Sequence, residues 1–383
     1  MKAFLREALE AVEAAGLRRA LHPLTSPQGR EIVIDGAKVL NFCSNDYLAL
    51  AGDPRLAEAA AGAAQGYGFG AGAARLVCGN AGEHEALERE LAQAKHTEAA
   101  LLFNCGYMAN TGIIPSLVGR GDAIFADKLN HASLVDGAVL SRADFYRYPH
   151  GRMDVLEAML KKTGDVRRKL IVTDTVFSMD GDVAPLAELV VLARKYEAWL
   201  MVDEAHAFGV LGPTGGGLVE ATGTGDRVAV QMGTLSKAAG SYGAYVAGSR
   251  DLRDFLINTA RSFIYTTGLP PAVSAASRMA LKLMAHEPWR RTVLLENARK
   301  MRTALQGAGF DTLASSTPII PVMVGDACRA KDISCKLLLR GIFAAAIRPP
   351  TVPVATARLR ITVTAAHTDA DIARCVEALK DVS

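Results

Sequence analysis

Lys237 lies in an unusual setting for a lysine. The segment Gly-Thr-Leu-Ser-Lys at 233–237 directly follows the apolar run 228–232, so the lysine comes just past a strand that the pattern predicts to be buried. Lysine normally keeps its ammonium group in water. Such a residue is either an ordinary loop lysine or a nucleophile whose deprotonated amine adds to an aldehyde as a Schiff base. Taken alone, the segment leaves both interpretations open.

The run Asp203-Glu204-Ala205-His206 follows another apolar segment, 199–202, which places Asp203 at the carboxyl end of a predicted strand. A strand-end acid can simply cap a helix. The same four residue types occur in ATPases, but that reading requires a GxxxxGK[ST] loop, and the chain contains neither Gly-Lys-Ser nor Gly-Lys-Thr. No further ligands at metal-binding spacing accompany the run. Two interpretations of Asp203 therefore remain: an acid that caps a helix, or part of a site with a different chemistry.

Two further segments follow predicted strands. Residues 104–110 connect the apolar run 99–103 to a predicted helix, and Gly106 would let a phosphate approach the free N–H groups at the start of that helix. His131 follows the apolar run 123–126, where it could stack on a planar ring or donate a proton. Each signal is weak alone, because many strand–helix turns look like the first and many histidines begin helices.

Together these residues match the needs of pyridoxal 5′-phosphate. A lysine binds its aldehyde, an acid keeps its pyridine nitrogen protonated so that the ring accepts electrons, and a helix start holds its phosphate. Lys237, Asp203 and the segment around Gly106 supply these three functions, and His131 supplies a ring-stacking group. The sequence therefore predicts a pyridoxal phosphate site at the carboxyl ends of parallel strands.

The elements that would position this site alternate between short apolar runs and helical stretches from about residue 84 to 250. This pattern is typical of an α/β fold with a mostly parallel central sheet and helices on both faces. The pattern changes near 270–290, and a smaller C-terminal α+β domain follows, including one strand at 343–347. We therefore divide the chain into an N-terminal helix and hairpin segment (1–50), a large cofactor-binding domain (51–285) and a small domain (286–383). The N-terminal helix is predicted over residues 1–20.

Composition limits the class of function. The chain has 383 residues, a formal net charge of +3 and six cysteines without a CxxC pair. Scattered basic residues argue against nucleic-acid or membrane-surface binding. No apolar stretch is long enough to cross a membrane. The cysteine pattern fits a reducing cytoplasm better than a disulfide framework, and we expect a cytoplasmic location.

The sequence also resembles the α-oxoamine synthases, which are fold type I pyridoxal phosphate enzymes, over nearly its whole length. The matching motifs are Asn-Phe-Cys-Ser-Asn-Asp-Tyr-Leu at 41–48, His-Ala-Ser at 131–133, Val-Phe-Ser-Met-Asp-Gly-Asp at 176–182, Asp-Glu-Ala-His at 203–206, Thr-Leu-Ser-Lys at 234–237, Ile-Arg-Pro-Pro-Thr-Val-Pro at 347–353 and Thr-Ala-Arg-Leu-Arg at 356–360. The Arg-Pro-Pro-Thr-Val-Pro run discriminates best among the members of the family.

The resemblance implies a role for each matching side chain. Lys237 would form the Schiff base and move protons, Asp203 would pair with the pyridinium nitrogen, and His206 would hydrogen-bond the ring oxygen. The remaining cofactor contacts would come from His131 on the ring face, from Gly106 and Tyr107 in the phosphate cradle, and from Ser178 and Thr234. The substrates would contact Arg18, Thr351 and Arg360, with Arg360 binding the carboxylate of the amino acid.

Several of these residues have ordinary alternatives. Arg358 and Arg360 alternate on a predicted strand, where two arginines on one face more often solvate a surface. Arg18, on the predicted N-terminal helix, would ordinarily be surface charge. Ser178 could simply cap a turn.

The resemblance also implies an activity and partners. The most similar members are acyltransferases of biotin biosynthesis that condense L-alanine with a pimeloyl thioester, carried on coenzyme A or on acyl carrier protein, and release carbon dioxide. They are homodimers whose subunits share sites, here through Tyr265-Thr266-Thr267. The alternatives are a sibling synthase with another amino acid or acyl donor, a pyridoxal phosphate aminotransferase, and a non-catalytic binding protein on the same scaffold.

Overall fold

The computed structural model describes residues 1–383. Its helices are α1 (Lys2–Ala14), α2 (Pro54–Tyr67), α3 (Gly82–Ala94), α4 (Gly106–Leu117), α5 (Ala132–Ser141), α6 (Met153–Thr163), α7 (Leu186–Lys195), α8 (Leu218–Thr222), α9 (Arg250–Thr259), α10 (Arg261–Ile264), α11 (Pro271–His286), α12 (Trp289–Gly307), α13 (Ala327–Leu339) and α14 (Asp369–Val382). Its strands are β1 (Glu31–Ile34), β2 (Ala37–Asn41), β3 (Ala99–Phe103), β4 (Ala123–Asp127), β5 (Asp144–Tyr148), β6 (Lys169–Asp174), β7 (Trp199–Asp203), β8 (Val230–Thr234), β9 (Ala244–Gly248), β10 (Ile319–Gly325), β11 (Ile342–Phe343), β12 (Ala345–Ile347) and β13 (Ala357–Thr362). None of the helices has the length and apolar character needed to cross a membrane.

The chain forms two compact units. The larger unit comprises Leu50–Ser178 and Val183–Thr292, and the smaller one comprises Met1–Ala49, Met179–Asp182 and Val293–Ser383. The N-terminal segment thus belongs to the same unit as the C-terminal part of the chain. The division of the chain into domains at residues 50 and 285 stays a prediction.

A seven-stranded sheet in the order β3-β9-β8-β7-β6-β4-β5 forms the centre of the larger unit. Its four pairings among β4 to β8 are parallel, whereas β9 is antiparallel to both β3 and β8. Strands β4, β7 and β8 are short and almost entirely buried, as their apolar composition requires, whereas only one residue of the edge strand β5 is buried. The predicted mostly parallel sheet is confirmed. The carboxyl ends of β4, β6 and β7 meet at one edge, which brings the segments after them together.

The smaller unit contains two three-stranded sheets, β1-β2-β11 and β10-β13-β12. The single strand predicted at 343–347 is wrong, because Phe343 pairs with β2 whereas β12 pairs with β13. Between them, Ala344 accepts a hydrogen bond from the Ser334 hydroxyl at 2.6 Å and takes no part in either ladder. The chain therefore passes from one sheet to the other within a continuous apolar run, which alternation of residue types does not reveal.

The N-terminal helix is shorter than the predicted 1–20, because it ends at Ala14. Gly16 follows with a φ of 65°, and the Gly16 and Leu17 amides donate to the carbonyls of Glu13 and Val12 at 2.9 Å each. This arrangement is a glycine-based C-terminal cap, which requires a left-handed residue that glycine adopts without strain. Arg18 consequently lies beyond the helix.

His367 in the smaller unit is a buried neutral histidine. Its Nδ1 accepts the Thr364 amide hydrogen at 2.9 Å, and its ring stacks on Phe42 with the ring centroids 4.3 Å apart. Burial is the main reason that the pKa of His367 falls to about 4. Since the unfolded chain binds this proton below its ordinary pKa, His367 stabilises the fold above about pH 6.5 and loses this contribution as the pH falls toward 4.

We therefore expect lowering the pH from 7.5 to 5 to cost about 2 kcal/mol of unfolding free energy through this one residue. Urea unfolding of the unmodified chain and of His367→Asn at both pH values measures the difference. His22→Asn is the control, because His22 is exposed and pairs only with Asp35 at 2.9 Å. Equal pH dependence in the unmodified chain and His367→Asn would contradict this assignment.

Candidate active site

Asp203 ends β7 as a buried carboxylate with 4% of its surface exposed. One oxygen accepts the Asn110 side-chain amide at 2.8 Å, and the other accepts the Ala205 backbone N–H at 2.9 Å. Buried carboxylates require such donors, because burial without them disfavours the charged form. The two hydrogen bonds fix the orientation of the Asp203 carboxylate. Asp203 lies at the carboxyl edge of the sheet, as its position after an apolar run predicted.

A second acid, Asp174, ends the neighbouring strand β6 and lies in register beside Asp203. Its Oδ2 accepts the backbone N–H of His131 at 2.6 Å. Burial, and then the nearby charge of Asp203, raises the pKa of Asp174 well above its usual range. Two carboxyl groups this close repel each other when both are charged, which is how Asp203 disfavours the charged form of Asp174.

Lys237 lies in the connection between β8 and β9, and its side chain is partly buried. Its Nζ is 2.9 Å from Nε2 of His206, so the imidazole can accept a hydrogen bond from the amine. The Gly240 N–H donates to the Lys237 carbonyl at 2.8 Å. Gly240 has a φ of 61°, and a Cβ there would come within 2.5 Å of the Leu50 carbonyl carbon. Glycine is required at this point for the turn that presents the lysine.

Thr234 and Ser178 occupy two other turns of the same unit. The buried Thr234 hydroxyl donates to the Gly243 carbonyl at 2.8 Å and accepts the Ser236 N–H at 3.2 Å, which closes the turn leading to Lys237. Ser178 is half-buried in the segment after β6, next to the bridge between Val176 and Val183.

His131 is the N-terminal capping residue of α5, and a chain of hydrogen bonds links it to Asp203. Asn110 Nδ2 donates to the Ser133 hydroxyl at 2.8 Å as well as to Asp203, and Ser133 Oγ lies 2.8 Å from Nδ1 of His131. The Ser133 N–H also donates to this Nδ1, which places the ring proton on Nε2. Desolvation lowers the pKa of His131, the charge of Asp203 opposes this effect, and Lys237 adds to it. The neutral ring is therefore favoured.

The start of α4 has the features of an anion-binding helix terminus. Its N-terminal capping residue, Cys105, makes no side-chain hydrogen bond to the first turn, so the N–H groups of that turn have no side-chain acceptor. A Cβ on Gly106 would approach the Met232 methyl at 3.1 Å, so the backbone packs closely here. Tyr107, about half exposed, donates its hydroxyl to Asp136. Oriented N–H groups and the helix dipole favour a phosphate at this position.

These residues fit pyridoxal phosphate. A buried, doubly hydrogen-bonded carboxylate suits a pyridinium nitrogen, an amine beside an imidazole suits an aldehyde, and an uncapped helix start suits a phosphate. The sequence-predicted Asp203, His206, Lys237, His131 and Gly106 all belong to the larger unit and follow strands of one sheet.

Arg360 and Arg358 lie on β13 in the smaller unit, and both are buried, with 7% and 4% of their surfaces exposed. Because both arginines are buried, the alternative that they only solvate a surface is excluded. The two arginines differ in their partners. Arg358 donates to the carboxylate of Asp180, whereas Arg360 donates to two neutral oxygens at 3.0 Å, those of Asn45 and Thr362. These contacts orient the Arg360 guanidinium.

Arg18 and Thr351, the other predicted substrate residues, are exposed parts of the smaller unit. Arg18 pairs with Glu13 at 3.3 Å. The Thr351 hydroxyl lies 3.5 Å from the guanidinium of Arg19, the residue after Arg18. The segments 16–19 and 348–351 thus meet, and Arg348 donates to the Gly16 carbonyl.

Sequence reasoning missed two polar residues of this site, Asn110 and Asp174. Asp174 carries the same signal as Asp203, an acid at the end of an apolar run, and could have been found by applying that rule to every strand. Asn110 is the last residue of the segment 104–110 and lies on α4, where a single asparagine gives no distinguishing signal. Its contact with Asp203 emerges only from the folded structure, in which α4 packs against α5 and Asn110 reaches both Ser133 and Asp203.

Comparison with known proteins agrees with this geometry. A family model described as aminotransferase class I and II matches residues 37–379. An 8-amino-7-oxononanoate synthase from Anaeromyxobacter dehalogenans is 52% identical over 374 residues, covering 98% of this chain and 94% of the relative. A solved serine palmitoyltransferase variant from S. paucimobilis, with a bound PLP–myriocin aldimine, has a TM-score of 0.94 at 30% identity and covers 99% of this chain and 96% of its own. The 8-amino-7-oxononanoate synthase from Francisella tularensis has a TM-score of 0.77 at 30% identity, with 90% and 97% covered.

The chain belongs to the aminotransferase class I and II family and, within it, to the family of 8-amino-7-oxononanoate synthases. The predicted family, fold type and acyltransferase class are therefore confirmed. Pyridoxal phosphate, predicted from the residues, is confirmed as the cofactor of the family.

Proposed function

We propose that this protein condenses L-alanine with a pimeloyl thioester, releasing carbon dioxide and the free thiol of the acyl carrier and forming 8-amino-7-oxononanoate. The observation that carries the proposal is the 52% identity to a synthase of that name over 98% of the chain, together with the arrangement of Asp203, His206 and Lys237 at one edge of the sheet. The same arrangement would serve a sibling synthase, so the choice of substrates rests on the relatives.

The chemistry requires that a bond at Cα of the amino acid be broken and its electrons accommodated. Pyridoxal phosphate supplies an aldehyde for covalent attachment and a protonated ring that draws electrons from Cα. Asp203 would keep the ring nitrogen protonated, because its buried carboxylate places a negative charge beside that atom. Lys237 would bind the aldehyde and, once displaced by the amino acid, take and return the proton at Cα.

The remaining cofactor contacts would hold the ring in place. His206, whose Nε2 already contacts Lys237, would donate to the ring oxygen. His131 would stack on the ring face through its neutral imidazole and guide the decarboxylation. The first turn of α4, at Gly106 and Tyr107, would bind the phosphate through backbone N–H groups. Ser178 and Thr234 would complete the contacts.

Arg360 would bind the carboxylate of L-alanine. A guanidinium binds a carboxylate through two parallel hydrogen bonds, which fixes orientation as well as affinity. Such orientation matters because the bond to be broken at Cα must stand perpendicular to the cofactor ring. The buried Arg360, oriented by Asn45 and Thr362, offers such a group.

Replacing Arg360 by lysine is expected to raise KM for L-alanine by about 10–100-fold, because an ammonium cannot form the paired bonds. Steady-state kinetics with varied alanine measures the effect. Arg358→Lys is the matched control on the same strand, since Arg358 already pairs with Asp180, and it should change stability more than KM. An unchanged KM in Arg360→Lys would remove this residue from the substrate site.

Arg18 and Thr351 would contact the acyl substrate. We also propose a homodimer with shared sites, in which Tyr265-Thr266-Thr267 reaches the cofactor phosphate of the other subunit. Tyr265 is 72% exposed in a single chain, as a side chain that contacts another subunit would be. Light scattering of the cofactor-loaded protein tests this, and a monomeric mass would contradict it.

Product analysis tests the reaction itself. Purified protein loaded with pyridoxal phosphate is incubated with alanine, glycine or serine and with pimeloyl-CoA, pimeloyl-acyl carrier protein, acetyl-CoA or palmitoyl-CoA. We expect 8-amino-7-oxononanoate and carbon dioxide only from alanine and a pimeloyl thioester. Product from glycine and acetyl-CoA, or from serine and palmitoyl-CoA, would instead identify a sibling synthase, and a keto acid without thioester consumption would identify an aminotransferase.

A further inference from the structure

Glu204, the residue after Asp203, forms a fully buried ion pair with Lys95. The exposed fractions of the two side chains are 1% for Lys95 and 0% for Glu204. Neither residue has a role in the proposed reaction. A buried ion pair is costly to form, and such a pair contributes little to stability compared with apolar residues of the same volume. Because this ion pair includes the residue next to Asp203, we consider a function for it other than stability.

Three elements meet at this ion pair. Lys95 is the C-terminal capping residue of α3, and its ammonium also donates to the Gly216 carbonyl. The second carboxylate oxygen of Glu204 accepts the Val219 N–H at 3.0 Å, at the start of α8. The pair thus joins the end of α3, the end of β7 and the glycine-containing loop before α8. A cation at the C-terminal end of α3 is favoured by the helix dipole as well.

The backbone of Glu204 holds the turn that carries the active-site residues. Its N–H donates to the Met232 carbonyl at 2.8 Å, and its carbonyl accepts the N–H groups of Ala207 and Phe208 at 2.9 and 2.8 Å. Asp203 and His206 lie on either side of these bonds. A shift of the Glu204 backbone would therefore move both residues that are proposed to face the cofactor.

The loop leaves no room for a displaced carboxylate. Gly217 has a φ of 108°, and a Cβ built there would lie 2.7 Å from Glu204 Oε2. The backbone of Gly217 is thus packed directly against the Glu204 carboxylate. Lys95 Nζ also lies 5.9 Å from the centre of the Phe208 ring. A Glu204 that lost its cation would be a buried, unpaired charge, which must either take up a proton or reposition this turn.

We propose that Lys95 and Glu204 are positioning residues for the cofactor, which hold the turn Asp203–His206 in the geometry that the pyridine ring requires. The inference rests on the proposed role of Asp203 and assigns a function to the glutamate of the Asp-Glu-Ala-His run. Neither Lys95 nor Glu204 contacts the cofactor in this proposal.

The test compares cofactor binding in Lys95→Met, Glu204→Gln and the double variant Lys95→Met/Glu204→Gln. The dissociation constant for pyridoxal phosphate is measured by absorbance titration, and the orientation of the bound ring by its visible circular dichroism. Because an unpaired buried charge is far more costly than a neutral pair, we expect Lys95→Met to weaken binding at least about tenfold and the double variant to return to within about threefold of the unmodified protein. The circular dichroism band should change in Lys95→Met and recover in the double variant.

The matched control is Arg167→Met, which leaves the fully buried Asp122 carboxylate without its arginine at the amino end of β4. It should lower the melting temperature while leaving cofactor binding and circular dichroism unchanged. If Lys95→Met does not fold, Glu204→Gln keeps the test, because a glutamine retains the acceptor for Val219 and should still weaken binding. Unchanged affinity and circular dichroism in the folded Lys95 or Glu204 variants would overturn the inference. Absence of cofactor binding in the unmodified protein would instead overturn the proposed function.

Discussion

Lys237→Ala is expected to abolish turnover and the visible absorbance of the covalently held cofactor. The amine of Lys237 is the only group placed both to bind an aldehyde and to exchange a proton at Cα in the proposed reaction, and it lies 2.9 Å from His206. General acid–base catalysis alone contributes about 10²–10⁴-fold to a rate, and loss of the covalent attachment adds to this. We therefore expect a fall in kcat of at least about 10³-fold.

Product formation by mass spectrometry and the absorbance spectrum of the purified variant measure the two effects. Lys195→Ala is the control, because this exposed lysine pairs with Glu157 on the surface of the same unit. It should behave like the unmodified protein in both measurements. Normal turnover by Lys237→Ala would refute the assignment of the nucleophile, and so would borohydride reduction that attaches the cofactor to another residue.

Asp203→Asn is expected to give the second largest loss, a fall in kcat of about 10²–10³-fold, the size typical of removing one electrostatic group from a reaction centre. An amide cannot supply the negative charge that would keep the ring nitrogen of the cofactor protonated. It also cannot accept both existing hydrogen bonds, since its nitrogen would face either Asn110 or the Ala205 N–H. The ring would bind without its full capacity to accept electrons.

Steady-state kinetics and cofactor titration separate these effects, because kcat should fall more than cofactor affinity does. Asp122→Asn is a control of equal burial, with its carboxylate bonded to Arg167 at the opposite edge of the sheet. That variant should lose stability and keep its kcat. A kcat for Asp203→Asn within threefold of the unmodified value would show that Asp203 does not act on the ring.

The strand-end acid, lysine and histidine could be predicted from the sequence because they depend on local rules. Each follows a short apolar run, and parallel strands bring their carboxyl ends together whatever the details of packing. Asp203, His131 and Lys237 are recognisable for this reason. The bond from Asn110 to Asp203 could not be predicted, since it depends on how α4 sits against the sheet.

The sequence-based predictions that the structure corrects also failed for physical reasons. The N-terminal helix ends at Ala14 because Gly16 takes up a left-handed conformation, and propensity alone does not show which glycine will do so. The run 343–347 divides between two sheets, which an unbroken apolar segment conceals. The burial of Arg358 and Arg360 depends on partners far away in the sequence, Asp180 and Asn45. The ion pair of Lys95 and Glu204 likewise joins distant residues.

The reversed direction of β9 limits how Lys237 can travel. The residues 235–243 return the chain from β8 to its antiparallel neighbour, and this connection is closed at its base by the Leu235 N–H bonded to the Gly243 carbonyl at 2.9 Å. Because both ends of this loop are fixed in one sheet, the loop cannot open as a hinged lid does. In the proposed reaction, the Lys237 amine would therefore move aside by rotation about its own side-chain bonds, and it would stay within reach of the site.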